Sequence, residues 1–216
     1  MVDVKFCGMT RSDDATLAAD LSAAFVGVIL AQSPRQLTVN QARAVLAPVR
    51  ERRICTVGVF DSDDLDLIAD TAETLALGVV QLHGDASADD VEALARRYHG
   101  EVWAVLRIGR VGLPAAAAEL FGAADGVVLD TLSARGLGGT GEAFDWQRVA
   151  SSLEELRGTT RVVVAGGLRP DNVASAIDAL APDVVDVSSG VESATGIKDP
   201  ARVRAFMDAV RHHVTR

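Results

Sequence analysis

Short apolar runs alternate with amphipathic segments along the whole chain. Each run is four to eight residues long, ends in a polar loop, and is followed by apolar residues at helical spacing. Such runs are typical of strands that are buried on both faces. The strands are predicted at residues 2–6, 25–30, 54–60, 79–82, 101–108, 126–129, 162–165 and 184–187.

Eight strand–helix units in strict alternation predict an α/β fold, a single-domain (β/α)8 TIM barrel over residues 1–216. The competing architecture is a doubly wound open sheet, which usually has a glycine-rich turn after its first strand. This chain has Cys-Gly-Met-Thr there, at residues 7–10. No sequence repeat or linker divides the chain, so the barrel is favoured.

Polar residues with side-chain oxygens stand where the helices should begin. The expected N-caps are Thr10 (with Asp13), Thr38 (with Gln41), Asp61 or Ser62, Ser87 (with Asp90) and Asp145. The segment 131–142 has four glycines and no helical period, which predicts an unusually long mobile loop.

Composition excludes several classes of protein. The net charge is −9, from 21 Lys+Arg against 30 Asp+Glu, and aromatic residues make up 4%. Nucleic-acid binding needs clustered positive charge and stacking rings, so no nucleic-acid partner is expected. No apolar run approaches the roughly 20 residues of a membrane span, and two cysteines form no disulfide framework. We expect a cytoplasmic protein without a membrane partner.

In a TIM barrel the active site lies at the carboxyl ends of the strands. The residues placed there are therefore the candidates for chemistry. They are Cys7, Arg35, the region of Asp61, His83, Arg107, Asp130, Gly166–Gly167 and Ser189–Gly190.

The two glycine-containing loops after strands seven and eight predict a phosphate site. Backbone N–H groups exposed at Gly166–Gly167 and Ser189–Gly190 can bind a phosphate dianion, and phosphate often binds at this position in TIM barrels. One glycine pair alone would equally be an ordinary turn, but the two loops together favour phosphate.

Two strand-end residues are candidates for proton transfer. Cys7 precedes a glycine and a polar loop, so its thiol could act as a base. Most free cysteines are instead small buried hydrophobic residues, and we interpret Cys55 in this way. Asp130 ends an apolar strand, where burial would raise its pKa and suit a general acid. The alternative is a carboxylate that caps the next loop.

Two further side chains could contact a substrate. Arg35 could pair with a substrate carboxylate, although an isolated loop arginine is usually only solvated. His83 could bind a ligand or carry a proton, although a structural imidazole is the commoner case. The sequence contains no metal-ligand cluster, P-loop or GxGxxG motif.

Six blocks in order along the chain resemble phosphoribosylanthranilate isomerase. The blocks are KFCGMTR (5–11), SPR (33–35), VQLHGD (80–85), LDT with GGTG and FDW (129–146), AGGLRPDNV (165–173) and VDVSSGVES with GIKD (185–199). The resemblance runs from the first strand to the last helix. It implies an isomerase of tryptophan biosynthesis that converts N-(5-phosphoribosyl)anthranilate to 1-(2-carboxyphenylamino)-1-deoxyribulose 5-phosphate by an Amadori rearrangement, without a cofactor.

The resemblance also implies residue roles. The cysteine of the first block, Cys7, is the family's general base, and the aspartate of LDT, Asp130, is its general acid. Arg35 resembles the residue that binds the anthranilate carboxylate. Gly166, Gly167, Ser189 and Gly190 fall on the phosphate-binding loops.

We expect a monomer whose only partner is this small-molecule substrate, with the loop 131–142 closing over the sugar.

Two other functions are alternatives to the isomerase function that the resemblance implies. The related aminoaldose isomerase of histidine biosynthesis resembles a duplicated half-barrel, with aspartate at the end of strand one and two phosphate sites. Here Cys7 ends that strand, and no second glycine pair follows strands three and four. A barrel that only binds a phosphorylated ligand is the other rival. It would need neither Cys7 nor Asp130.

Overall fold

The computed structural model describes residues 2–109, 112–131 and 144–214. Eight parallel strands close into a barrel in sequence order, which confirms the predicted TIM barrel. The strands are β1 (Asp3–Phe6), β2 (Phe25–Ile29), β3 (Cys55–Phe60), β4 (Val79–Leu82), β5 (Glu101–Ile108), β6 (Gly126–Thr131), β7 (Arg161–Val164) and β8 (Val184–Val187). The helices are α1 (Ser12–Asp20), α2 (Val39–Leu46), α3 (Leu65–Thr74), α4 (Ala88–Ala95), α5 (Ala117–Ala123), α6 (Trp146–Leu156), α7 (Val173–Leu180) and α8 (Pro200–Val214).

The apolar runs are buried on both faces of the sheet. Outward residues pack under the helices, and a separate cluster fills the barrel interior toward the amino-terminal ends of the strands. In that cluster Phe25 and Trp103 meet edge to face with their centroids 5.0 Å apart. The cluster closes this end of the barrel, so an internal cavity can open only at the carboxyl ends.

Three of the predicted helix starts are confirmed. Thr38 with Gln41 and Ser87 with Asp90 form reciprocal capping boxes at α2 and α4. Asp145 caps α6 by accepting a hydrogen bond from the N–H of Arg148 at 3.3 Å. These caps supply acceptors for N–H groups that have no partner within the helix.

Two predicted caps are wrong. Helix α1 begins at Ser12 without a side-chain cap, because Arg11 and not Thr10 holds the N-cap position; the Thr10 hydroxyl donates to the carbonyl of Gly196. Helix α3 is capped by Asp64, not by Asp61 or Ser62; its Oδ1 accepts from the N–H of Leu67 at 2.9 Å. Several residues of this acidic loop could cap a helix, and the sequence alone did not select among them.

A small antiparallel hairpin, β9 (Glu192–Ala194) with β10 (Ile197–Lys198), lies between β8 and α8 and was not predicted. Its strands are too short to show a two-residue period. Its register places Lys198 opposite Glu192. The predicted loop 131–142 lies outside the described residues except for Thr131, which ends β6.

Within the part of the chain that the structure describes, no helix is long and apolar enough to cross a membrane.

Candidate active site

A cavity of about 330 Å³ opens at the carboxyl ends of the barrel strands. All eight residues that the sequence selected as site residues line it: Cys7, Arg35, His83, Asp130, Gly166, Gly167, Ser189 and Gly190. Two other strand-end candidates, Asp61 and Arg107, are not among its lining residues. The strands thus bring residues from distant parts of the sequence to one surface.

Cys7 is buried directly after β1, and its backbone N–H donates to the carbonyl of Val187 at 2.9 Å. The ammonium group of Lys5 lies near the Cys7 side chain and favours its charged form. Burial raises the pKa of the Cys7 thiol, and the Lys5 ammonium offsets this only in part. The free protein therefore holds Cys7 mainly as a thiol at neutral pH.

The ion pair between Lys5 and Asp186 is a part of the site that sequence reasoning missed. Lys5 Nζ lies 2.6 Å from Asp186 Oδ2, and the two side chains are 0% and 7% exposed. Burial acts to lower the pKa of Lys5, but the adjacent Asp186 outweighs it, so the pKa is raised and Lys5 stays charged. The available signal was a lysine two residues before Cys7, on the same face of a strand.

Asp130 is the second-last residue of β6 and reaches the cavity from an apolar wall. Its Oδ1 accepts a hydrogen bond from the N–H of Thr131 at 2.8 Å. Burial raises the pKa of Asp130 to about 6, against the weaker opposing effect of that hydrogen bond. At pH 7 about a tenth of the molecules then carry a protonated Asp130.

This pKa is directly measurable. We expect the ¹³C chemical shift of the Asp130 carboxyl to titrate with a midpoint at about pH 6, because burial disfavours its charged form. Asp130→Asn identifies the resonance by removing it. A midpoint near 4, the value of an exposed aspartate, would show that the carboxyl is solvated.

The two glycine loops lie against each other at the cavity. Gly166 and Gly167 both have positive φ, +79° and +68°, which favours glycine at each position. A Cβ on Gly166 would lie 2.7 Å from Asp130 Oδ1, and one on Gly190 would overlap the carbonyl oxygen of Leu168. Glycine therefore lets the two loops pack closely against each other and beside the Asp130 carboxyl, and both loops line the cavity.

Arg35 lines the cavity, and part of its guanidinium is already engaged. Nε and Nη2 donate to Oε1 and Oε2 of Glu192, both at 2.7 Å. Lys198 Nζ donates to the same Glu192 Oε1 at 3.1 Å. Hydrogen bonds from Arg35 and Lys198 outweigh the effect of burial and lower the pKa of Glu192, so it is ionised. Sequence reasoning missed Glu192 and Lys198 because the hairpin that pairs them was not predicted.

His83 lines the cavity beyond β4. Burial, with Arg107 and Lys5 nearby, lowers the pKa of its imidazole, so the ring is neutral at pH 7. Its Nδ1 is buried with no hydrogen-bond partner among the described residues. Those residues also contain no group of three or more His, Cys, Asp or Glu side chains arranged to hold a metal ion.

Comparison with known proteins gives one consistent family. The family model described as N-(5′-phosphoribosyl)anthranilate (PRA) isomerase matches residues 4–209. The N-(5′-phosphoribosyl)anthranilate isomerase of Pseudomonas fluorescens is 41% identical over 208 residues, which cover 96% of this chain and 94% of that protein. The Pseudomonas aeruginosa protein of the same name is 38% identical, with coverage of 97% and 95%.

Solved structures agree with this family. The phosphoribosyl anthranilate isomerase of Thermotoga maritima superposes with a TM-score of 0.86 at 31% identity, covering 98% of this chain and all of that one. A further phosphoribosyl anthranilate isomerase, solved in complex with reduced 1-(o-carboxyphenylamino)-1-deoxyribulose 5-phosphate, has a TM-score of 0.82 at 29% identity. This chain therefore belongs to the N-(5′-phosphoribosyl)anthranilate isomerase family.

Proposed function

We propose that this chain isomerises N-(5-phosphoribosyl)anthranilate to 1-(2-carboxyphenylamino)-1-deoxyribulose 5-phosphate, with Asp130 as general acid and Cys7 as general base. The observation that carries the proposal is that both side chains line one cavity, together with two glycine loops and an arginine. These groups match the substrate, which carries a phosphate, a carboxylate and a sugar ring between them.

Asp130 acts first, as the proton donor to the furanose ring oxygen. Its raised pKa keeps part of the population protonated near neutral pH, as general acid catalysis requires. Protonation breaks the bond between C1′ and the ring oxygen, and the nitrogen lone pair forms an iminium ion at C1′. The positive charge now lies next to C2′.

Cys7 then removes the proton at C2′. The iminium ion acidifies this proton, so a modest base is sufficient, and the positive charge of the nearby Lys5 stabilises the thiolate. The resulting enolamine becomes the product ketone when C1′ gains a proton and the C2′ hydroxyl loses one.

Neutral His83, with a buried Nδ1, is proposed as a substrate-binding group that lines the same cavity as Cys7 and Asp130.

The two ends of the substrate are held by different groups. The backbone of Gly166, Gly167, Ser189 and Gly190 is proposed to bind the phosphate, supported by the positive φ angles of the first pair. Arg35 is proposed to bind the anthranilate carboxylate. Its guanidinium has five N–H donors, and Glu192 uses only one on Nε and one on Nη2, so the edge formed by Nη1 and Nη2 can still donate to a carboxylate.

A turnover assay on the purified protein tests the proposed function. Phosphoribosylanthranilate should be isomerised without an added cofactor, and the aminoaldose of histidine biosynthesis should be turned over far more slowly. Preference for the histidine-pathway substrate would favour the first rival function. Tight binding of phosphoribosylanthranilate with no turnover would favour a barrel that only binds its ligand.

Arg35→Ala tests the carboxylate contact. We expect KM for phosphoribosylanthranilate to rise about 10- to 100-fold, because a charge-assisted bidentate contact is lost, while kcat changes less. Arg52→Ala is the control, since Arg52 pairs with Asp20 at the exposed surface. An unchanged KM in Arg35→Ala would remove the contact from the proposal.

We further propose that residues 1–216 form one domain that works as a monomer in the cytoplasm, where its phosphorylated substrate would be found. Helix α8 packs on α1 and α7 beside the closed barrel. Among the described residues, the exposed large hydrophobic side chains are Leu67 and Ile197, which lie on different elements. A mass of about one chain in light scattering would support the monomer.

A further inference from the structure

The hairpin formed by β9 and β10 carries two buried charges to the side of the cavity where Arg35 lies. The Glu192 and Lys198 side chains are 5% and 0% exposed, and that of Arg35 is 13% exposed. Lys198 lies opposite Glu192 in the hairpin register and donates to its Oε1 at 3.1 Å. Arg202 holds the Glu192 backbone by donating to its carbonyl at 2.6 Å. Arg202 thus anchors Glu192 through its backbone, independently of Lys198.

Glu192 in turn fixes the plane of the Arg35 guanidinium. Two parallel hydrogen bonds of 2.7 Å, from Nε and Nη2, leave the planar group one orientation relative to the carboxylate. The stem of Arg35 is also confined: its Cδ lies 2.7 Å from the position that a Cβ on Gly8 would occupy. Gly8 has φ of +68° and directly follows Cys7, so this glycine lets the arginine pass close to the catalytic loop.

From this arrangement we infer that Glu192 is a positioning residue for substrate recognition: it directs the unused edge of Arg35 toward the anthranilate carboxylate. The inference rests on the proposed role of Arg35 and adds the group that sets its geometry. A carboxylate beside the guanidinium would weaken the pull on an anionic substrate if charge alone mattered. Orientation is the benefit that remains, because a flexible arginine would lose conformational freedom on binding.

Lys198 offers a way to separate orientation from charge. The three buried groups, two cations and one anion, carry one net positive charge. Lys198→Met removes a cation and keeps the bond between Glu192 and Arg35. Glu192→Gln combined with Lys198→Met restores the net charge of the natural site but removes the carboxylate that holds Arg35. If folding of the Glu192→Gln single variant is impaired by the two uncompensated cations, this charge-matched double variant still tests the inference.

The experiment measures binding by calorimetry with two probes. One is reduced 1-(o-carboxyphenylamino)-1-deoxyribulose 5-phosphate, and the other is the same compound with a phenyl ring that lacks the carboxylate. The Kd of the probe without the carboxylate, divided by the Kd of the probe with it, reports recognition of the carboxylate alone. Lys198 Nζ also donates to the carbonyl of Ser188 at 3.0 Å, beside the phosphate loop, but a change there affects both probes equally.

We expect the wild-type protein to have a large ratio of Kd values. The ratio in Lys198→Met should stay within about threefold of the wild-type ratio, and the ratio in the charge-matched double variant should be about 10- to 100-fold smaller. Adding Arg35→Ala to the double variant should cause no further loss, because Glu192 acts through Arg35. Two results would overturn the inference: a ratio of Kd values that is already near one in Lys198→Met, or a ratio in the double variant that equals the wild-type ratio. A wild-type ratio near one would instead refute the carboxylate contact of Arg35 itself.

Discussion

Cys7→Ala should lower kcat on phosphoribosylanthranilate by about 10²- to 10⁴-fold while ligand affinity stays within about tenfold. The thiol is the proposed acceptor of the C2′ proton, and a positioned general base contributes an acceleration of this size. Binding should change little, because the proposed phosphate and carboxylate contacts come from other loops. Steady-state kinetics, with a titration of the reduced product analogue, measures the two quantities separately.

Cys55→Ala is the matched control for this variant. Cys55 begins β3 and packs at the amino-terminal end of the barrel interior, away from the cavity. Burial raises its pKa to about 11, so it has no thiolate to offer at neutral pH. We expect turnover of Cys55→Ala at the wild-type rate. Wild-type turnover in Cys7→Ala would remove the thiol from the mechanism.

The barrel and the cavity lining could be predicted from the sequence because both follow from strand periodicity. Once eight buried runs are located, the residue after each one lies at the same end of the barrel. That rule alone placed Cys7, His83 and Asp130 on one surface, and the structure shows them around one cavity. The family blocks then supplied the chemistry that spacing could not.

The buried charges could not be predicted because their partners are distant in sequence. Lys5 and Asp186 are 181 residues apart, and they meet only because barrel closure pairs β1 with β8. Arg35 and Glu192 are 157 residues apart and depend on a hairpin with strands of three and two residues. Local patterns mark a lysine or glutamate in an apolar stretch as unusual, but they do not identify its partner.

Burial at the cavity sets an unusual ionisation state for the proposed acid and base. It raises the pKa of Asp130 to about 6 and raises that of Cys7 as well. Near neutral pH most free enzyme therefore holds a carboxylate at Asp130 and a thiol at Cys7. The form that the proposed mechanism requires, with the proton on Asp130 and a thiolate at Cys7, is a minority species. Its population is constant between the two pKa values, because a proton is only exchanged between the two groups.

Asp130→Asn should lower kcat/KM by about 10²- to 10⁴-fold at pH 5.5, where Asp130 is mostly protonated in the wild type. Above about pH 6 the wild-type protein progressively loses the protonated form of Asp130, whereas the variant has no carboxyl group at this position to deprotonate. The wild-type advantage should therefore shrink about tenfold per pH unit until it reaches a constant residual value. The substrate phosphate, with a second pKa near 6, titrates equally in both assays and cancels in this ratio.

Asp61→Asn is the control for this pH series. Asp61 lies at the carboxyl end of β3 much as Asp130 lies near the carboxyl end of β6, but it lines a separate groove and not the cavity. Its kcat/KM should follow the wild-type profile at every pH. A loss in Asp130→Asn that is the same at pH 5.5 and pH 8 would contradict the assignment of Asp130 as a proton donor, because only a group that works in its protonated form loses importance as that form disappears. Such a result would leave Asp130 as a contact for the substrate and require another acid to open the ring.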